Sequence, residues 1–251
     1  MSRLNLTVHA DGIAVVTLTH PPVNALDAAL LEELAGLFEG LAAEPAVRAA
    51  VLTGEGRSFS AGLDLKLVPE LDWLGRRRLV DALNECFGAL YGWPKPLVAA
   101  VNGHAIAGGM ILALCADWRI VSDAPMHASL AEVRVGVTYP VAPLEIARRE
   151  LAPAAARRMI LLAEVLEGRE AHTLHVFDEH VPAETLVAHA QVRARRYAEL
   201  PPNAFATTKR ELRAEALALI EQARAGREPR LMAWLGEEMR RAAAAVLRRA
   251  A

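Results

Sequence analysis

The feature that most constrains this chain is the alternation of apolar strand patterns with helical patterns in its first half. Two β-branched runs around "ADG" predict a hairpin, and "VRAAVLTG", "LVAAVNG" and "WRIVSD" have the composition of buried strands. Between them lie a helix that Asp27 is expected to cap and Pro45 to end, and a long helix from about Trp73 to Trp93. Strands that alternate with helices predict a layered α/β fold.

The second half has a different pattern, because nearly every segment from about Ala142 onward has helical periodicity. The only strand-like interruption that we expect there is "HVP". We therefore predict a mixed core over residues 1–195 and a C-terminal helical region over residues 196–251. The terminal helices are amphipathic, so their apolar stripes should pack on the core or on a neighbouring subunit.

Composition and charge exclude several classes of function. The 251 residues are 53% hydrophobic, and 28 basic against 30 acidic side chains give a formal net charge of -2. This balance provides no basic surface for nucleic acid or an anionic membrane. No apolar run reaches the roughly 20 residues that span a bilayer, so we expect a cytoplasmic protein. Cys86 and Cys115 lie in apolar helical patterns and are expected to be buried, reduced thiols, and no spacing of residues predicts a metal site.

The segment "NGHAIAGGMILALCAD" raises the question of function, because two adjacent glycines open a helix where a strand has just ended. The first amides of a helix have no partner within it and lie at the positive end of its dipole. Glycine allows a ligand to approach this backbone closely. A second glycine turn, in "GRSFSAGLDL", could direct amides to the same point. Two such donors would form an oxyanion hole, and a plain tight turn is the alternative interpretation.

Four segments in this order resemble the crotonase superfamily, also called the enoyl-CoA hydratase/isomerase family: "PPVNALD", "SFSAGLDLK", "PKPLVAAVNGHAIAGGMILALCADWRIVSD" and "LAEVRVGVTYP". The resemblance covers nearly the whole chain. It implies a crotonase-like spiral of ββα turns, followed by C-terminal helices that pack into homotrimers and often hexamers. It also implies an enzyme whose substrate is an acyl-CoA thioester and which needs no other cofactor.

The same resemblance implies which residues form the site. The backbone amides of Leu63 and Gly108 would make the oxyanion hole and bind the thioester oxygen more strongly as its negative charge grows. The pocket for coenzyme A maps onto residues beside the pantetheine arm and near the adenine, namely Val23, Ala25, Ala61, Leu65 and Lys66.

The position of the family's glutamates distinguishes its subgroups. Family hydratases hold a water molecule between two glutamates, and the first of these lies three residues after the glycine of the hole. That position is Ile111 here, whereas the second is present as Glu132 in "SLAEVRVG". Family Δ3,Δ2-enoyl-CoA isomerases need one carboxylate, so we expect an isomerase in which Glu132 carries the proton. Apolar neighbours should raise the pKa of this group, and hydration is the alternative reaction.

Two further alternatives stay open. Tyr139, in "GVTYP", resembles a tyrosine of the family's methylmalonyl-CoA decarboxylases, so decarboxylation with Tyr139 as a catalytic group is one of them. A non-catalytic acyl-CoA-binding protein is the other, because a fold does not fix a function. Ile111 favours such a binder and Glu132 opposes it. His104 and His127 are expected to be structural.

Overall fold

A computed structural model of the chain describes residues 3–64, 67–235 and 241. Within these residues, ten strands occur in the order β1 (Leu4–Val8), β2 (Ile13–Leu18), β3 (Ala49–Gly54), β4 (Ser58–Ser60), β5 (Leu97–Val101), β6 (His104–Ile106), β7 (Trp118–Ser122), β8 (His127–Ser129), β9 (Val165–Glu167) and β10 (Glu179–Val181). The same residues form ten α-helices: α1 (Ala28–Ala43), α2 (Trp73–Tyr91), α3 (Gly108–Leu114), α4 (Val141–Glu150), α5 (Pro153–Ala156), α6 (Gly168–Thr173), α7 (Leu186–Ala198), α8 (Pro202–Leu212), α9 (Ala214–Arg224) and α10 (Leu231–Leu235).

The larger sheet has six strands in the order β1-β2-β3-β5-β7-β10. The predicted hairpin is confirmed, since β1 and β2 are antiparallel with Leu4 opposite Leu18, while the other neighbours in this sheet are parallel. Helix α7 covers one face and contacts Val51, while α1 and α2 cover the other face, where Leu52 is buried. Burial on both faces explains why the central strands are apolar without alternation. Asp27 caps α1 as predicted, because its side chain accepts a hydrogen bond from the amide of Leu30.

The smaller sheet has four short strands in the order β4-β6-β8-β9. Three times in succession, a strand of the larger sheet is followed by a strand of the smaller sheet and then by a helix: β3-β4-α2, β5-β6-α3 and β7-β8-α4. This repeat is the spiral of ββα turns that the family resemblance implied, and the α/β fold class is confirmed. The turns between the two sheets lie at the carboxyl ends of the long parallel strands.

One prediction for the second half of the chain is wrong. The segment "HVP" does contribute to a strand, β10, but β9 is a second strand in the region expected to be helical apart from "HVP". Strand β9 pairs antiparallel with β8 and places Val165 opposite Ser129. Three residues are too few for a recognisable period-2 pattern, and their β structure depends on pairing with a distant strand.

The C-terminal helices pack on the core of their own chain. Helix α9 contacts α2 and α4 and buries Ala216, Ile220 and Ala223. Helix α10 contacts α2 and buries Trp234. The predicted division at residue 195 falls inside α7, which ends at Ala198. The division itself stays a prediction.

Both cysteines are buried and unpaired, as predicted. In the described part of the chain, every helix is either too short or too polar to cross a lipid bilayer.

Candidate active site

Helix α3 begins with an unusual backbone conformation. Its N-cap residue, Ala107, has φ 50° and ψ -120°, a region that glycine adopts far more readily than alanine. The carbonyl oxygen of Ala107 accepts a hydrogen bond of 3.1 Å from the amide of Ile111 and therefore points into the helix. Because a trans peptide is planar, the amide of Gly108 in the same peptide unit points in the opposite direction, out of the amino end of α3.

The second glycine turn, around Gly62, directs the amide of Leu63 away from the neighbouring segment at Leu26. Gly62 has φ 77°, and its carbonyl oxygen accepts from the amide of Leu26 at 2.8 Å. The amide of Asp64 donates to the carbonyl oxygen of Leu26 at 2.9 Å. The amide of Leu63 belongs to the same planar peptide unit as the carbonyl group of Gly62, and the two groups of a trans peptide point in opposite directions. The amide of Leu63 therefore points away from Leu26.

The two turns are in direct contact because glycine occupies the positions where they meet. A β-carbon on Gly62 would lie 2.6 Å from the carbonyl oxygen of Ile106 and 3.1 Å from the nitrogen of Gly108. A β-carbon on Gly109 would lie 2.1 Å from the carbonyl oxygen of Ser60. The structure thus brings together the two backbone segments in which the sequence predicted an oxyanion hole.

Neither of the two predicted donors is bonded to another of the described residues. Across the ranges that the structure describes, no hydrogen bond uses the amide of Leu63 or that of Gly108. Unpaired backbone amides are rare inside a protein unless a ligand or water completes them. This corner of the molecule can therefore accept an oxygen atom that carries negative charge.

The predicted coenzyme A residues lie on segments that are bonded to each other. The amide of Ala61 donates to the carbonyl oxygen of Val23 at 3.0 Å, and the hydroxyl of Ser60 donates to the carbonyl oxygen of Asn24 at 2.7 Å. Ala25 follows directly and is partly exposed. Val23, Ala25 and Ala61 are thus neighbours. The other two predicted contacts, Leu65 and Lys66, lie outside the described residues.

Ile111 is completely buried in α3, one helical turn after Gly108. Residues three apart on a helix lie on the same side of it. The side chain that stands one turn from the Gly108 amide is therefore apolar, and it belongs to the main hydrophobic core.

Glu132 lies in a tight turn between β8 and α4. It precedes a 3-10 turn of residues Val133–Val135, which Gly136 closes in the left-handed conformation with φ 71°. The amide of Val137 donates to the carbonyl oxygen of Glu132 at 2.9 Å. Val133, the next residue, is half-exposed.

Glu132 is partly exposed as a residue, but one oxygen of its carboxyl group is shielded from water. Its Oε2 atom is buried and has no hydrogen-bond partner among the residues that the structure describes. Burial raises the pKa of Glu132 to about 7, and the nearby Tyr139 hydroxyl opposes this rise. A carboxyl group with this pKa can both take up and release a proton near neutral pH.

Tyr139 is buried beside this glutamate. Its hydroxyl donates a hydrogen bond of 3.0 Å to the carbonyl oxygen of Leu130, and burial raises its pKa above the usual value. Leu130 lies two residues before Glu132, so this bond ties Tyr139 to the segment that carries the carboxyl group. The structure thus places Tyr139 next to the predicted proton carrier.

Sequence reasoning missed one residue of the site, Ala107. Its amide donates a hydrogen bond of 2.7 Å to the carbonyl oxygen of Ser129, which lies three residues before Glu132. Ser129 also pairs with Ile106 between β8 and β6. Alanine carries no chemical signal of its own, so only its place immediately before the two glycines could have pointed to this role.

The two histidines near this region contact each other. His104 and His127 lie on the neighbouring strands β6 and β8, with ring centroids 5.3 Å apart, and the amide of His127 donates to Nδ1 of His104 at 3.1 Å. These contacts agree with the structural role predicted for them. Within the described ranges, no group of three or more His, Cys, Asp and Glu side chains is arranged to hold a metal ion.

The chain is similar in sequence and in fold to several known proteins. The family model described as enoyl-CoA hydratase/isomerase matches residues 9–241. A Thermus thermophilus protein provisionally named an enoyl-CoA hydratase is 35% identical over 206 residues, which cover 80% of this chain and 81% of that protein. Mouse mitochondrial enoyl-CoA delta isomerase 1 is 32% identical over 219 residues, covering 84% of this chain and 74% of the mouse protein. The structure of human mitochondrial Δ3-Δ2-enoyl-CoA isomerase superposes with a TM-score of 0.92 at 27% identity, covering 99% of this chain and 98% of the human chain.

Proposed function

The chain belongs to the enoyl-CoA hydratase/isomerase family, and we propose that within this family it is a Δ3,Δ2-enoyl-CoA isomerase with a single glutamate as its acid and base. One observation carries the proposal. Glu132 has a buried carboxyl oxygen with no hydrogen-bond partner in the described part of the chain, whereas the helix position one turn after Gly108 is the buried Ile111. A site with one carboxyl group, that of Glu132, and the apolar Ile111 in place of a second one suits a proton shift and not the addition of water.

The substrate would bind with its thioester oxygen between the amides of Leu63 and Gly108. Removal of a proton from the α-carbon moves negative charge onto this oxygen, so donors aimed at it stabilise the transition state more than the ground state. The coenzyme A part would extend past Val23, Ala25 and Ala61. Both amides lack a partner among the described residues and their segments are in contact, and these two facts support this assignment.

Glu132 would transfer the proton. Its carboxylate takes the α-proton of a 3-enoyl thioester, and the electron pair of the broken C-H bond forms a dienolate whose charge lies on the thioester oxygen. The protonated Glu132 then returns a proton to the γ-carbon, the double bond is left between the α- and β-carbons, and the carboxylate is restored. A pKa of about 7 supports this role, since both protonation states of Glu132 are populated near neutral pH.

Ile111 would determine which reaction follows. Hydration needs a second polar group to hold and activate a water molecule, and an isoleucine side chain cannot do so. An apolar group in this place excludes water from the dienolate and thereby protects the proton shift.

A non-catalytic acyl-CoA-binding protein is the competing function. The unpartnered Glu132 oxygen argues against it, because burial of a carboxyl group without a partner destabilises a fold and gives a pure binder no advantage. Thermal shifts with coenzyme A and a series of enoyl-CoAs, followed by product analysis, separate the two functions. A binder would be stabilised by these thioesters and leave them unchanged.

Assembly into a homotrimer or hexamer is part of the proposal. Leu161 and Leu162 are each about two-thirds exposed, and Val165 on the edge strand β9 is also exposed. A group of large apolar side chains on the surface is typical of a contact with another protein chain. Val165 pairs with Ser129 of β8, the strand that leads to Glu132, so the contact would be close to the site.

The direct test is Glu132→Gln, which keeps the size of the side chain and removes its ability to carry a proton. We expect the variant to fold, to bind acyl-CoA with little change in affinity, and to lose turnover by about three orders of magnitude or more. Retention of more than about a tenth of the isomerase activity would place the base elsewhere, and Tyr139→Phe would then be the next variant.

A further inference from the structure

The short helix α10 contacts the segment that carries Glu132, although the two are about 100 residues apart in the chain. The indole Nε1 of Trp234 donates a hydrogen bond of 2.8 Å to the carbonyl oxygen of Thr138, the residue before Tyr139. Trp234 is only 2% exposed. The bond is part-buried and Thr138 itself is exposed, so loss of the bond removes a direct restraint on the segment around Thr138.

A second contact fixes the same segment a few residues further along. The carboxylate of Glu228, before α10, accepts from the amide of Val141 at 2.9 Å and from Nδ2 of Asn84 at 2.9 Å. Oδ1 of Asn84 accepts from the amide of Ala142 at 2.9 Å. These two amides begin α4 and have no partner within the helix. Buried groups of α2 and of the C-terminal segment therefore hold the start of α4.

Tyr139 connects these contacts to the glutamate. Its backbone is held on one side through Thr138, while its hydroxyl donates to the carbonyl oxygen of Leu130, two residues before Glu132. We infer that Trp234 is a positioning residue for Glu132, which acts through Thr138 and Tyr139 to hold the carboxyl group in its buried position. The effect on turnover rests on the proposed function, whereas the position of the carboxyl group can be measured without any substrate.

The chain contains a matched control for Trp234. Trp93 is also 2% exposed, and its Nε1 also donates to a backbone carbonyl oxygen, that of Phe38, at 2.9 Å. It lies just before β5, at the end of the larger sheet opposite the glycine turns. A tryptophan to phenylalanine substitution therefore removes the same kind of bond at both positions, but only Trp234 adjoins the segment of Glu132.

The experiment measures the pKa of Glu132 in the full-length protein by carbon-13 NMR, with glutamate labelled at the carboxyl carbon. Glu132→Gln identifies the resonance by its disappearance. Burial is the largest cause that raises this pKa, so entry of water after Trp234→Phe should lower it.

We expect Trp234→Phe to lower the pKa of Glu132 by about one unit, and to lower kcat roughly tenfold to hundredfold with KM changed less than about twofold. Trp93→Phe should lower the melting temperature to a similar extent and leave both the pKa and kcat unchanged. If Trp234→Phe does not fold, Asn84→Ala removes the second contact and should shift the pKa in the same direction.

Equal behaviour of the two phenylalanine variants, with the pKa of Glu132 unchanged in both, would overturn the inference. A wild-type protein without isomerase activity but with a pKa that falls in Trp234→Phe would contradict only the proposed function.

Discussion

The amide of Ala107 donates a hydrogen bond of 2.7 Å to the carbonyl oxygen of Ser129. This bond joins the turn that opens α3 to the strand that leads to Glu132, so the proposed oxyanion hole and the proposed base are held by one short connection. The left-handed conformation of Ala107 is part of the same arrangement, since it directs the neighbouring Gly108 amide out of the helix. Strained backbone is commonly retained at sites where it orients a functional group.

The strain at Ala107 can be tested by substitution. Ala107→Gly should stabilise the protein by roughly 1 kcal/mol, because glycine adopts φ 50° and ψ -120° without the steric cost that alanine incurs. Ala113→Gly, inside α3, is the control and should destabilise the protein by a similar amount. Thermal unfolding of both variants measures this difference. A loss of stability in Ala107→Gly as large as in Ala113→Gly would contradict the assignment of strain.

The pKa of Glu132 predicts how stability depends on pH. Burial raises this pKa from 4.5 to about 7, so the folded protein holds the proton more tightly than the unfolded chain does. The stability that protonated Glu132 contributes is complete below about pH 4.5 and is lost as pH rises through 7, with roughly 3 kcal/mol as an upper limit.

Glu132→Gln should therefore raise the melting temperature relative to wild type at pH 8 and change it little at pH 5, because glutamine stays neutral throughout. Glu39→Gln, on the exposed face of α1, is the surface control and should give no such difference between the two pH values. An equal effect of Glu132→Gln at pH 5 and pH 8 would show that Glu132 titrates normally in the folded protein.

Ile111→Glu should introduce hydration. A carboxylate one turn after Gly108 can hold a water molecule opposite Glu132, so hydration of a 2-enoyl-CoA should rise well above the wild-type rate while the proton shift slows. Ile111→Leu keeps the site apolar and is the matched control, for which we expect no hydration. Formation of 3-hydroxyacyl-CoA, followed by chromatography, measures the gain. An Ile111→Glu variant that folds and binds substrate but does not hydrate it would count against this role of Ile111.

Light scattering tests the proposed assembly. Wild-type protein should have the mass of a trimer or hexamer, and the double substitution of Leu161 and Leu162 by glutamate should reduce it, because charged groups cannot be buried in an apolar contact without a large cost. Leu74→Glu changes a residue of similar exposure on α2 and should leave the mass unchanged. A monomeric wild-type protein at micromolar concentration would exclude this assembly.

Much of the fold could be predicted from the sequence because its strong signals are local. Asp27 before an apolar helical pattern predicts a capped helix, and the structure confirms it. Strand β9 could not be predicted, since its three residues become a strand only by pairing Val165 with the distant Ser129. The order of strands in a sheet depends on such contacts, which no local pattern contains.

The candidate site also has a part that local motifs predicted and a part that depends on distant contacts. Family motifs identified Leu63, Gly108, Ile111 and Glu132, and the structure brings the first two onto touching backbone segments. The contact of Trp234 with Thr138 could not be predicted, because the two residues are 96 positions apart in the sequence and neither segment carries a motif that indicates it.

The measurement that tests the central claim most directly is product analysis with wild-type protein. The protein is given a 3-enoyl-CoA in one reaction and crotonyl-CoA, a 2-enoyl-CoA, in another, and the thioesters are separated and quantified over time. With Glu132 as the only acid and base and Ile111 in place of a second glutamate, we predict conversion of the 3-enoyl to the 2-enoyl thioester at enzymatic rates, with little or no 3-hydroxyacyl-CoA from either substrate. Rapid hydration of crotonyl-CoA would contradict this account, because a residue other than Ile111 would then have to hold the water.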